Sequence, residues 1–166
     1  MSIKILGIDP GLADTGIGIV TGQGHKVHGF AFGVVHTNSK DSLALRLEQI
    51  FDRLCELLVS EKPDVVVLED VFSLEKYPRS GISLGQVCGV ILLASRKVAA
   101  TVHTVAVREA KQVLTGNGNA GKEQLEKAVR NLLGCSDPIR PYHASDALGL
   151  ALIGLFRYGG TRNLHC

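Results

Sequence analysis

No uninterrupted apolar run in this chain approaches the roughly 18 residues that a membrane-spanning helix needs; the longest, VILLA and the glycine-bearing LALIGLF, fall far short of it. The first residues also lack the layout of an export leader, so a reducing cytoplasm is the expected compartment, with no membrane partner. Cysteine is sparse and scattered. Cys55, Cys88, Cys135 and Cys166 form no C-x-x-C pair, which argues against a zinc ribbon and against a disulfide framework. Charge of one sign is lacking as well: a net charge of +2 and a pI near 8.4 permit an anionic partner without announcing one. Any such partner must be read from local clusters. Neither a linker nor a repeat interrupts the chain, and 166 residues with 45% hydrophobic and 20% charged suit one globular domain, residues 1–166, with a sizeable core.

What is present begins with IKILGIDPGLADTGIGIV. The apolar run Ile3, Ile5, Leu6, Ile8 is that of a strand covered on both faces, yet it ends in Asp9, whose ionised carboxylate costs several kcal/mol to desolvate unless something compensates it. Asp-Pro-Gly is also a good turn in its own right, so on this stretch alone Asp9 reads equally as a turn residue or as part of a site. Segments Ile3–Asp9, Thr15–Val20 and His25–Val35 predict a three-strand meander. A helix follows from Asp41, a candidate N-cap, through Leu43, Leu47, Ile50, Leu54 and Leu57 at helical spacing, and closes at Lys62-Pro63. DVVVLED predicts a buried strand bearing Glu69, Ile82–Ala99 a second helix and TVHTVAV a fifth strand; the remainder is helical, interrupted by GNGNAG and GCSDPIRP.

This order predicts an α/β, ribonuclease H-like fold, a five-stranded mixed sheet flanked by helices. With right-handed crossovers the fourth strand lies parallel to the first and beside it. Asp9 and Glu69 then stand at the carboxyl ends of strands about 4.8 Å apart, where open α/β sheets place ligands. Two carboxylates so close require a cation. In PYHASDALGLALIGLF, Pro141 opens a helix whose first turn carries His143 and Asp146 on one face, continuous with the packing residues Leu150 and Ile153. Taken singly, Asp146 reads as a partner of the helix dipole and His143 as a surface cap. Together with Asp9 and Glu69 they make an oxygen-rich set with one nitrogen, which suits Mg²⁺, with Mn²⁺ able to substitute, better than zinc or calcium. Acid clusters that hold two such ions catalyse in-line displacement at phosphorus, so phosphodiester hydrolysis is the leading chemistry.

The motifs GIDPGLADTGIGIV, VVVLEDVF, LGQVCGVILLA, VREAKQVLTGNGNAGKEQL and HASDALGLAL resemble, in order, those of the RuvC crossover junction endonucleases, over essentially the whole chain. The resemblance implies a homodimer that nicks two symmetric strands of four-way Holliday junction DNA with Mg²⁺, alongside the RuvA and RuvB branch-migration complex. It matches Asp9, Glu69 and Asp146 to catalytic, metal-binding acids; His143 stands where some members carry a fourth aspartate and others a histidine. The loop VFSLEKYPRSG pairs two aromatics able to stack on unpaired bases, Phe72 and Tyr77, with two cations able to meet phosphates, Lys76 and Arg79; the resemblance favours Phe72 as the stacking residue, although the asparagine that many relatives carry after it is missing, and matches Lys111 and Lys122 to basic positions near the scissile strand. Ser83–Ala94, apolar nearly all round with Gly85 and Gly89, is either wholly buried or shared between subunits, and two-fold symmetry favours sharing. GNGNAGK followed by Glu123 lacks the Ser or Thr of a nucleotide-binding loop. An actin-like phosphotransferase would need a second domain. The full set of Asp, Glu, His and Asp argues against a non-catalytic junction-binding protein, and an RNA-processing nuclease of the same fold would be told apart by its substrate, ribosomal precursor in place of junction DNA.

Overall fold

The computed structural model describes residues 1–70 and 78–160. Five strands, β1 (Ile3–Asp9), β2 (Asp14–Gln23), β3 (Lys26–His36), β4 (Val65–Asp70) and β5 (Thr101–Ala106), form one sheet in the order β3-β2-β1-β4-β5. The meander is antiparallel, and β4 and β5 add parallel to β1, which crossover connections allow. Helices α1 (Leu43–Glu61) and α2 (Pro78–Lys97) supply the crossovers; α3 (Val107–Thr115), α4 (Lys122–Leu133) and α5 (Tyr142–Tyr158) follow.

Strand alternation divides the apolar residues between two cores. Ile5, Val20, Val65, Val67 and Val105 point to the face covered by α5 and α4, where they meet Leu148, Leu152 and Val129. Leu6, Ile8, Ile17, Ile19, Val66 and Leu68 point the other way, onto Ile50 and Leu54 of α1 and Val87 and Ile91 of α2.

Helix α5 lies against the sheet more closely than ordinary side chains allow. A Cβ built on Gly7 would stand 2.0 Å from the Ala147 carbonyl oxygen, one on Gly16 2.0 Å from that of His143, and one on Gly18 2.4 Å from the Leu148 nitrogen. Glycine at these alternating positions of β1 and β2 lets the backbone of α5 touch the strands, which delivers the start of α5 to the end of β1.

Several boundaries differ from the sequence reading. β2 runs longer, because its pairing with β3 continues across the Thr21/Gly22 irregularity to the turn at Gly24, and β3 is shifted by one residue. Ser42, rather than Asp41, caps α1: its Oγ accepts from the Leu45 amide at 3.3 Å, while the Asp41 carboxylate accepts from Gln49. α2 begins at Pro78, four residues before Ile82, with proline supplying the preset first turn. Nor is α2 wholly buried, since Ile82, Leu92 and Leu93 are 65%, 47% and 55% exposed. Among the described residues no helix is long and apolar enough to cross a membrane.

Candidate functional site

Asp9 is the last residue of β1, and the parallel register, which brings Ile8 opposite Leu68, sets Glu69 beside it on β4. Asp146 and His143 reach the same place from the first turns of α5, carried by the close contact at Gly7 and Gly16. All four line a cleft of about 340 Å³ together with Pro10, Gly11, Lys111 of α3 and Lys122, the first residue of α4. The sheet's carboxyl end thus gathers three acids, one imidazole and two ammonium groups that the sequence scatters over more than a hundred positions. Of the remaining expected DNA contacts, Phe72 and Lys76 lie outside the described residues, as does Tyr77; Arg79 falls in the first turn of α2, with its side chain outside them too.

Asp9 is nearly buried, at 6% exposure, and its Oδ2 stands 2.7 Å from the His143 Nδ1. That contact is the main reason the His143 pKa is raised above its ordinary value; burial pulls it down, and the charges of Asp9 and Asp146 add to the rise. Burial pushes the Glu69 carboxyl up to about 9, reinforced by a hydrogen bond to Asp9 and by the charges of Asp9 and Asp146, with Lys111 opposing. Burial likewise lifts Asp146 to about 6, with Asp9 adding to it and Lys122, His143 and Lys111 working against it. Glu69 therefore keeps its proton at neutral pH. The cause is negative charge held in poor contact with water, the same condition that a bound cation relieves.

A divalent cation fits this donor set. The Asp146 Oδ1 is buried without a hydrogen-bond partner, and an orphaned carboxylate oxygen in a cleft of further carboxylates is what a hard oxygen-loving ion satisfies. The set is not drawn tight: among the described residues no three His, Cys, Asp or Glu side chains already close around one point as a metal site would. Lys111 and Lys122 supply the complementary charge for an anionic ligand on the same cleft.

Two neighbours of the site escaped the sequence reading. Tyr142, between Pro141 and His143, lies under the Arg140 guanidinium at 4.3 Å from the ring centroid and under the Lys122 ammonium at 6.0 Å, which gathers both cations on one ring next to His143 in the chain. Glu126, at 3% exposure, accepts from the Ile139 amide at 2.9 Å and pairs with Arg130, fixing the segment that leads into α5. A glutamate amid the apolar positions of α4 was the available signal for the second; nothing in the sequence marked the first.

Residues 5–154 match the family model described as Crossover junction endodeoxyribonuclease RuvC. The protein of that name from Prosthecochloris aestuarii is 39% identical over 151 residues, covering 91% of this chain and 80% of its own. Its counterpart from Salinispora arenicola is 40% identical over 162 residues, covering 97% and 91%. Among solved structures, T. thermophilus RuvC in complex with a Holliday junction substrate superposes with a TM-score of 0.86 at 31% identity, over 93% of this chain and 94% of that one. The yeast mitochondrial Holliday junction resolvase Ydc2 shares the fold, with a TM-score of 0.61 at 12% identity over 93% of this chain and 79% of that one.

Proposed function

This chain belongs to the RuvC family of crossover junction endodeoxyribonucleases, and we propose that Asp9, Glu69, Asp146 and His143 are the residues with which it resolves Holliday junctions. It is a nuclease of DNA recombination and repair. The observation that carries the site assignment is the meeting of these four side chains with Lys111 and Lys122 on one cleft at the carboxyl end of the parallel strands.

Asp9, Glu69 and Asp146 would hold the divalent metal, with His143 completing the set from its second ring nitrogen or orienting the attacking water. Mg²⁺ is the ion that suits these oxygens, two ions per subunit, with Mn²⁺ able to substitute. Bound there, the metal would supply an activated water and a counter-charge for the leaving oxygen. The protein's own part is to position. The His143 Nδ1 fixes the orientation of the Asp9 carboxylate at 2.7 Å, and Lys111 and Lys122 draw the phosphodiester backbone onto the cleft through charge. Glu69, raised to about 9, would have to give up its proton to serve as a ligand, so occupancy would rise with pH.

The chain works as one nuclease domain, in the cytoplasm. Two copies pair through α2, whose exposed stripe of Ile82, Gly85, Gly89, Leu92 and Leu93 would otherwise face water. The pairing presents two sites to the two-fold related strands of a four-way junction. Phe72 stacks at the opened junction centre, Lys76 and Arg79 meet its phosphates, and the RuvA and RuvB branch-migration complex is the partner that delivers it.

Asp9→Asn tests the site. Cleavage of a synthetic four-way junction is expected to vanish while junction affinity stays within about an order of magnitude, because binding rests on basic contacts. Cleavage at the parental rate would remove Asp9 from the site.

A further inference from the structure

The turn that follows Asp9 is held from outside the cleft. Gly11, Leu12 and Ala13 each present a backbone carbonyl, and each carbonyl is bound. Thr15 Oγ1 donates to Gly11 O at 2.7 Å. Thr37 takes the other two, its Oγ1 donating to Leu12 O at 2.5 Å and its backbone N–H to Ala13 O at 2.9 Å. Thr37 is itself 2% exposed, just past the end of β3, and its Oγ1 accepts from the Arg46 Nε of α1 at 2.8 Å. A contact between His36 Nδ1 and Asp14 Oδ1 at 2.7 Å closes the same corner.

On its other side this turn meets the site. A Cβ on Gly11 would lie 3.8 Å from the His143 ring, and Gly16, just beyond the turn, abuts the His143 backbone. The segment that Thr37 pins is thus the one running between Asp9 and the floor on which His143 rests. A buried threonine that uses its hydroxyl as donor and acceptor at once, with its amide as a third anchor, is a fully satisfied polar node, and such a node holds the turn rigidly in one place.

We propose that Thr37, backed by Arg46, is a positioning residue for the cleavage reaction: it latches the Gly11–Ala13 turn to α1 and thereby fixes Asp9 against His143. The inference rests on the assignment of the cleft as the nuclease site. Thr37 touches neither DNA nor the reacting atoms. Its effect on the reaction passes through the Asp9–His143 separation, and displacements of an ångström at reacting groups are felt strongly in rate. Thr37→Val, which keeps the shape and removes the hydroxyl, strands Leu12 O and Arg46 Nε together.

The test uses the full chain and a synthetic four-way junction with Mg²⁺. It measures the first-order cleavage rate at saturating protein, the junction affinity in chelator, and the melting temperature, for the parent, Thr37→Val, Thr37→Ser and Arg46→Ala. Thr37→Val is expected to lower the rate ~10-fold or more with affinity changed less than ~3-fold, while Thr37→Ser, which restores the hydroxyl, keeps the rate within ~3-fold of the parent. Arg46→Ala falls between the two. Folded Thr37→Val cutting at the parental rate would overturn the proposal, as would Thr37→Ser falling as far as Thr37→Val, which would assign the effect to the methyl group's packing. Should Thr37→Val fail to fold, Arg46→Ala on part-exposed α1 decides, and a parental rate there overturns the latch. A parent that cuts no junction defeats the nuclease site itself, an outcome distinct from any ranking among the variants.

Discussion

Asp146→Asn should make the metal-free protein more stable at high pH while removing the benefit of metal. In the folded chain, burial and the neighbouring Asp9 raise the Asp146 carboxyl from 3.8 to about 6. A raised acid contributes stability that is fully present below pH 3.8 and is lost as pH climbs through about 6, because the folded state then holds a charge that the unfolded chain bears more easily. The gap between the two values is worth about 3 kcal/mol, an upper figure because the cleft is open to water. Asparagine has the shape of the protonated acid and does not titrate. In chelator, urea unfolding followed at pH 4 should therefore find parent and variant alike, and by pH 8 the variant should lead by up to about 3 kcal/mol. Relief of Glu69, which the Asp146 charge also raises, acts in the same direction. Adding Mg²⁺ at pH 8 should then stabilise the parent and leave the variant nearly unmoved. Parallel pH profiles for the two proteins would refute the placing of Asp146 in a crowded, charge-frustrated cleft.

Two further outcomes follow from the same geometry. His143→Asp restores a fourth acid beside Asp9 and should keep divalent-dependent junction cleavage; a variant that folds and binds junctions yet cannot cut them contradicts this. Gly7→Ala would drive a methyl to 2.0 Å from the Ala147 carbonyl and should cost at least about 3 kcal/mol in urea unfolding, whereas Gly29→Ala, with open space around it, should change stability by no more than about 1 kcal/mol.

The acids were legible because each interrupts an apolar pattern: Asp9 and Glu69 end runs whose neighbours, Ile8 and Leu68, are 0% and 2% exposed. Topology then followed from handedness, which leaves few places for the strand after a meander and one crossover. Lys111 and Lys122 came from the resemblance; a lysine on a helix carries no signal of which cleft it faces. The glycines at positions 7, 16 and 18 were visible as letters but read as strand and turn composition, although their period of two was the mark of a helix backbone resting on the sheet. Adjacent Asp41 and Ser42 are equally good caps on paper, and only the course of the chain decides that Ser42 meets the Leu45 amide. Thr37 left no trace in the pattern, because a buried threonine at a strand end reads as ordinary strand composition until its partners, distant in sequence, are known.

The most direct measurement of the whole account incubates the protein with a four-way DNA junction, a linear duplex of the same sequence and a structured RNA, each with Mg²⁺ and with chelator. Paired symmetric nicks in the junction alone, abolished by chelator, are the predicted result. Cutting that survives chelation, or that spares the junction while consuming RNA or duplex, contradicts it.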